Sequence, residues 1–376
     1  MAVGNGSMRA AILEEPHGDL KVEEIPVPEP RRDEVLVKVT ACGVCHTDLH
    51  VIKDETPFPT PAVLGHEITG TIEALGPGFE ERAEELSEGT PVASAFIMPC
   101  GECQYCVKGR DDVCQRFIAY NRLQGVLYDG ETRLHRGDGS PLSMYSMGGF
   151  AEYAVVPATD VFVLPEGLPA EESSILGCAV FTAFGAVRHA ADLRPGERVA
   201  VVAMGGVGSN MVQIARAFGA SQVIAVDIQQ ETLDAAKDLG ATDTVNGSEE
   251  DAVERVMELT DGEGVDVAFE ALGSPETFAQ AVGMLRVSGR MVAVGIAPGG
   301  STAPVEIFPL VRKGQRIIGS YGARTRTDMP ELLRLVARGF LEPKQMVTQR
   351  FSLDEADAAY KALDRGEIVG RAVVVL

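Results

Sequence analysis

Residues 199–227 read VAVVAMGGVGSNMVQIARAFGASQVIAVD. VAVVA is a short β-branched run of the kind buried in a parallel sheet, AMGGVG is a glycine-rich turn, and SNMVQIARAFGA carries an apolar stripe at helical spacing. QVIAV is a second strand, with Asp227 at its end. Strand, turn, helix, strand and acid arrive in the order of a Rossmann unit. There, backbone N–H groups at a helix N-terminus receive a dinucleotide's pyrophosphate and the acid receives its ribose hydroxyls. Gly205, Gly206, Val207 and Gly208 would form the cradle. A bare GxGxxG is weak evidence; the full register makes it specific. Ala203 occupies the first glycine position, so some loss of turn geometry is expected. Asp227 would repel a 2′-phosphate, and Ile228-Gln229-Gln230 offers no arginine to bind one, so NAD is favoured over NADP.

Further strands are expected at VDVAFEAL (265–272), GRMVAVGIA (289–297) and RIIGSYG (316–322), the last closing the sheet. Helical patterns between the earlier strands imply an α/β fold with a doubly wound parallel sheet. The chain of 376 residues is a natural size for two domains, and 45% hydrophobic residues can fill large cores. No uninterrupted apolar run approaches the roughly 20 residues of a membrane helix. The N-terminal MAVGNGSMRAAILEE lacks the regions of a signal peptide. A soluble, cytoplasmic protein is expected, with Met8 as a natural start and residues 1–7 as a tag remnant or short extension. The formal charge of -22 argues against a nucleic-acid partner. The acidity reads as solubility or adaptation to salt, and FEERAEELSEG (79–89) as solvated surface.

Seven cysteines is an odd count, which disfavours a disulfide framework. Four of them, Cys100, Cys103, Cys106 and Cys114, follow C-x2-C-x2-C-x7-C within MPCGECQYCVKGRDDVC (98–114). Four thiolates in tight turns suit a closed, tetrahedral zinc site that does no catalysis. An iron–sulfur cluster uses the same ligands, and plain surface thiols are the bland alternative. Upstream, VTACGVCHTDLHVIKDETPFPTPAVLGHEITG (39–70) follows the strand-like EVLVKV (34–39) and crowds Cys45, His46, Thr47, Asp48 and His50, with His66-Glu67 beyond. Cysteine with histidine suggests a catalytic zinc that keeps its fourth position open. Cys45 and His66 would be two ligands. Cys178, in the apolar, helix-like ILGCAVFTAFGAV, is the candidate third, although a lone cysteine there is by default a core residue.

With GVCHTDLH, GHE, the four-cysteine lobe, the distal GC and the glycine turn with its acid, the chain resembles a zinc-dependent alcohol dehydrogenase of the medium-chain dehydrogenase/reductase superfamily. The likeness runs from MRAAIL to GRAVVVL. It implies a GroES-like, mostly β catalytic domain (1–178 and 324–376, with a structural zinc lobe at about 98–115) and an inserted Rossmann NAD-binding domain (179–323). It implies two zinc ions: a catalytic one on Cys45, His66 and Cys178, and a structural one on Cys100, Cys103, Cys106 and Cys114. Glu67 would stand beside the catalytic zinc or replace a departing ligand, and Asp48 would orient His66. Cys42 has no assigned role and reads as a small buried residue.

The resemblance further implies hydride transfer between an alcohol and NAD. Thr47 would take the hydroxyl proton and pass it through the cofactor ribose to His50, a residue type that titrates near neutral pH. His46 and Arg371 would contact the pyrophosphate, and Thr182 would flank the nicotinamide. Residues 115–148 resemble the extended segment of dimeric animal and plant enzymes and of thiol-adduct formaldehyde dehydrogenases. Tyr120, Asn121, Arg122 and Leu123 are thus candidates to line the substrate channel, and Arg122 to meet an anionic group, against the plainer expectation that it faces solvent. A homodimer is expected, with a tetramer as the alternative. Alternative substrates are a CoA-linked hydroxy compound and a formaldehyde–thiol adduct. Rivals are a quinone or enoyl reductase, which would not need Cys45, His66 and Cys178 together, and a non-enzymatic zinc or redox sensor, for which the NAD site has no purpose.

Overall fold

The computed structural model describes residues 6–79 and 86–376. The chain forms two compact units: Met1–Cys178 together with Arg324–Leu376, and Ala179–Ala323. The N-terminal stretch 1–5 and residues 80–85 of the acidic segment lie outside the described residues. Just beyond them Leu86 is buried and Glu88 exposed.

The unit Ala179–Ala323 holds a six-stranded, wholly parallel sheet. Its strands lie in the spatial order Asp243–Asn246, Gln222–Asp227, Arg198–Val202, Val265–Glu270, Leu285–Ala293 and Arg316–Gly319. Numbered along the chain this is 3-2-1-4-5-6, the doubly wound Rossmann order with its reversal at the first strand. Ala200, Val202, Ile224, Val226, Val245, Val265 and Met291 form its buried core. The β-branched valines and isoleucine among them suit strands covered on both faces.

Strand ends differ from the sequence expectation for local reasons. Val265–Glu270 stops because the Glu270 carboxylate accepts from the N–H groups of Leu272 and Gly273 (2.9 and 2.8 Å), replacing a ladder partner. Leu285–Ala293 starts four residues early and stops where Val294 and Gly295 both donate to the Glu270 carbonyl. The strand Asp243–Asn246, mostly polar, had no apolar pattern to announce it.

The other unit is mostly β. A seven-stranded sheet centres on the long strand Glu34–Val44, which pairs with Ile68–Leu75, Tyr153–Pro157 and the C-terminal Arg371–Val375. The expected strand 34–39 runs on to Val44 because residues 41–44 find their partners more than 300 positions later. A five-stranded sheet contains Leu20–Pro26, Ser7–Leu13 and Ala62–Val63. Among the described residues, no single helix is long and apolar enough to cross a membrane.

Candidate functional site

The long strand delivers Cys45 directly to the N-terminus of the helix His46–Ile52. His66 and Glu67 precede the strand Ile68–Leu75, which pairs beside it. Cys178 arrives from elsewhere in the chain. It does not lie inside a helix, contrary to the helix-like pattern of its neighbours. The Gly177 carbonyl accepts from Phe96 N–H (2.9 Å), which breaks the helical ladder between the 3-10 turn Ser174–Gly177 and the helix Ala179–Gly185. Cys178 is presented at that break, with φ −140° and ψ −65°.

These segments bring one ligand atom each from Cys45, His66, Glu67 and Cys178 within 4.8 Å of one another, and all four residues are buried. His66 Nδ1 meets Asp48 Oδ1 at 3.0 Å, and the same carboxylate accepts from Gly65 N–H (3.1 Å) and the Tyr360 hydroxyl (2.8 Å). Asp48 is thereby locked from three sides, and it directs the Nε2 lone pair of His66 away from itself. That Nε2 is buried without a hydrogen-bond partner, as is Glu67 Oε2. Buried polar atoms normally find partners, so an orphan nitrogen between two thiols fits a metal ion. Burial alone would lower the His66 pKa, but the Asp48 carboxylate raises it to about 10. The Cys178 thiol draws Cys45 well below the ordinary thiol range, and Cys45 in turn, with burial, pushes Cys178 well above it. Two buried thiols whose ionisation is opposed in this way suit a cation beside which both could be thiolates.

Burial pushes Glu67 up to about 7 against the pull of Arg371, to which it is bonded. Gly43 makes room for it: a Cβ there would stand 2.3 Å from Glu67 Oε2. Arg371, expected at a pyrophosphate, is itself buried and engaged by Glu67. Thr47 Oγ1 lies 3.5 Å from the Cys45 sulfur, and His50 Nδ1 lies 2.5 Å from Glu55 Oε2. His46 is exposed and Thr182 is buried in its helix. Cys42 is fully buried; burial and then the Asp48 charge hold its thiol well above the ordinary range.

The four-cysteine lobe also gathers its sulfurs within 4.8 Å, between short 3-10 turns at Cys106–Lys108 and Asp111–Val113. Backbone N–H groups of Cys103, Cys100 and Phe117 donate to Cys100, Cys114 and Cys114 sulfurs (3.3, 3.3 and 3.4 Å). Burial pushes Cys103 up, but amides led by that of Cys106 outweigh it and bring it to about 6. From the C-terminal return, Arg326 binds both Asp111 oxygens and the Cys106 carbonyl.

In the Ala179–Ala323 unit the helix Gly206–Ala217 begins inside the glycine motif. Ala203 adopts φ +74°, a left-handed conformation that glycine accepts more readily. A Cβ on Gly208 would meet the Ala203 carbonyl at 1.9 Å, so this glycine is obligatory. Asp227 Oδ2 accepts from Met204 N–H (2.6 Å), tying the acid to the turn.

Two expectations for residues 115–148 are corrected. Asn121 lines no channel: it is buried and its amide bonds Met144 O, Ser146 O and Ser146 N–H (3.2, 2.9 and 3.0 Å). Arg122 does not face solvent; its guanidinium nitrogens are shielded and its face rests on aromatic rings. Leu123 is exposed, and Tyr120 is half-buried beside Arg116. Tyr360, Phe96 and Tyr145, which surround His66 and its partner, carried no local sequence signal.

Residues 31–166 match the alcohol dehydrogenase GroES-like domain, and residues 206–338 the zinc-binding dehydrogenase family. An NDMA-dependent alcohol dehydrogenase of Amycolatopsis methanolica is 34% identical, over 96% of each chain. An S-(hydroxymethyl)glutathione dehydrogenase of Saccharomyces cerevisiae is 32% identical, over 95% of this chain and 94% of its own. The solved benzyl alcohol dehydrogenase of Acinetobacter calcoaceticus superposes with a TM-score of 0.91 at 32% identity, covering 99% of both chains. With both sulfur-rich sites and the glycine turn in place, this chain belongs to the zinc-dependent alcohol dehydrogenases of the medium-chain dehydrogenase/reductase superfamily, oxidoreductases that work with zinc and a nicotinamide cofactor.

Proposed function

We propose that this protein interconverts an alcohol and its aldehyde or ketone, with NAD as hydride carrier, at the buried Cys45–His66–Cys178 site. The observation that carries this reading is the convergence of those ligand atoms, with Glu67, around the orphan His66 Nε2. When bound, zinc supplies a Lewis acid that lowers the pKa of an alcohol hydroxyl, and NAD supplies the hydride acceptor. Asp48 holds the proton on His66 Nδ1 and keeps Nε2 available as a ligand. Glu67, held by Arg371, is the spare carboxylate that fills the site when substrate leaves. Thr47 receives the hydroxyl proton, and His50, one turn further along the same helix and steadied by Glu55, hands it to solvent. The Gly205–Gly208 turn binds the pyrophosphate, and Asp227 selects NAD over NADP by charge.

A second substrate reading is a formaldehyde–thiol adduct, favoured by relatives named for that activity. In the assembly we propose, two copies meet at the edge strand Arg316–Gly319. Near it in sequence the helix Ile307–Arg312 exposes Ile307, Phe308 and Val311, each more than 70% accessible. None of the seven cysteines is in a disulfide, which suits a reducing cytoplasm. The test is NADH formation, followed by absorbance with zinc-loaded protein, NAD and a panel of straight-chain, aromatic, cyclic, CoA-linked and thiol-adduct alcohols. Turnover with any class supports the reading. Silence across the panel from protein that carries zinc yet fails to bind NAD refutes it.

A further inference from the structure

The helix that carries Thr47 and His50 ends in a turn built from charged residues. Lys53 caps His46–Ile52, and Asp54 beyond it adopts φ +57°, in the left-handed region. Asp54 N–H donates to the Val51 carbonyl (3.1 Å), and Glu55 N–H to that of His50 (2.8 Å). This pair of bonds is the Schellman closure of a helix, which most often has glycine at the left-handed position and an apolar contact between the residues at its two ends. Here the left-handed residue is an aspartate, and the end residues are His50 and Glu55. In place of an apolar contact, His50 Nδ1 meets Glu55 Oε2 at 2.5 Å.

Glu55 is thus fastened to His50 twice, through its backbone and through its side chain. The nearby cation Lys53 is paired with Asp364, which leaves the Glu55 carboxylate to the imidazole. A carboxylate only accepts hydrogen bonds, so the ring nitrogen that faces it must carry hydrogen. In a neutral imidazole the other nitrogen, Nε2, then has a bare lone pair. An imidazole free in water favours the opposite arrangement, so the carboxylate is what holds this one. Both side chains stay partly exposed, 24% for His50 and 35% for Glu55, which keeps the pair within reach of solvent. A turn serving only to close the helix would do better with glycine and two apolar side chains, because a partly exposed charged pair adds little stability.

Resting on the proposed route of the hydroxyl proton through Thr47 to His50, we infer that Glu55 is a positioning residue for that route. It fixes His50 as the Nδ1–H tautomer and so makes Nε2 the atom that receives the proton. The ring then carries one extra proton and a positive charge, which the Glu55 carboxylate faces. Release of one proton to a base in solvent returns the ring to the Nδ1–H form, with Glu55 unchanged.

The first measurement is nitrogen NMR of isotope-labelled histidine in zinc-loaded protein, on the alkaline side of neutrality, with the His50 signals identified by their loss in His50→Gln. The parent protein should show the Nδ1–H form, and Glu55→Ala should move His50 to the Nε2–H form. Glu55→Gln, whose side-chain oxygen still accepts from Nδ1–H, should keep the parent form. An Nε2–H signature in the parent, or an Nδ1–H signature that survives Glu55→Ala, overturns the inference. The second measurement is NADH formation with an alcohol that the parent oxidises. Glu55→Ala should lower kcat about 10-fold with little change in KM. Added N-methylmorpholine, a diffusible base hindered from binding zinc, should restore part of the loss by taking the proton in place of His50, and Glu55→Gln should fall between. With His50→Gln already in place, Glu55→Ala should change kcat by less than about 2-fold. A loss that the added base does not restore, or that persists in full in the His50→Gln background, marks a merely structural residue and overturns the inference. If the zinc-loaded parent oxidises no alcohol of the panel, the dehydrogenase reading falls and this inference with it, whatever the tautomer.

Discussion

The molecule builds two sulfur-rich sites by opposite means. In the lobe, four ligands come from fifteen consecutive residues, the backbone itself donates to the sulfurs, and Cys100 and Cys103 remain partly exposed. At the buried site, candidate ligands come from positions 45, 66, 67 and 178, every one is buried, Asp48 and Arg371 bond His66 and Glu67, and Tyr360 steadies Asp48. Four thiolates in the lobe would close a metal's coordination completely. The buried site uses a mixed donor set and keeps a carboxylate within exchange distance. Local, saturated ligation suits a structural staple, and dispersed, unsaturated ligation suits a position where something must enter and leave.

The strongest way to break this contrast is to remove one sulfur from each site. Cys178→Ser should reduce turnover at least about 10³-fold, read as NADH formation, with a melting temperature close to that of the parent. Cys103→Ser should do the reverse. It should lose on the order of 3–5 kcal/mol of stability, measured by denaturant titration of metal-loaded protein, while the folded fraction keeps its turnover. If the two variants exchange phenotypes, the assignment of structural and catalytic roles is inverted.

A finer probe tests whether the buried site depends on its supporting shell. Asp48→Ala removes the group that orients His66 and should lower zinc affinity or activity about 10- to 100-fold, measured by chelator competition and initial rates. Near-parent values would mean that the ligands hold their geometry alone. The smallest expected effect lies outside both metal sites. Ala203→Gly relieves a left-handed alanine and should stabilise the protein by under about 1 kcal/mol, seen as a small rise in melting temperature. A fall would mean that the turn prefers the stiffer residue.

What could be read in the sequence follows the same division. The lobe was legible because its ligands are neighbours and their spacing is itself the signal. The glycine turn was legible for the same reason. Cys45 and His66 stood in recognisable short motifs, whereas Cys178 had only its apolar surroundings, and those suggested a helix that the Phe96–Gly177 hydrogen bond interrupts. Tyr360 could not be foreseen: its role depends on a 312-residue separation from Asp48 that only the closed sheet spans. Arg122 was misread because an arginine in a polar segment defaults to solvent, and neither the π-helical turn nor the ring contacts leave a periodic trace.

The most direct test of the central claim is the optical spectrum of the cobalt(II)-substituted protein, titrated with NAD and a turned-over alcohol. The thiolate–cobalt bands of the buried site should shift on titration, those of the lobe should stay fixed, and Cys178→Ser should abolish the response while preserving the lobe's bands. A response that persists in Cys178→Ser, or one confined to bands lost in Cys103→Ser, would contradict the account.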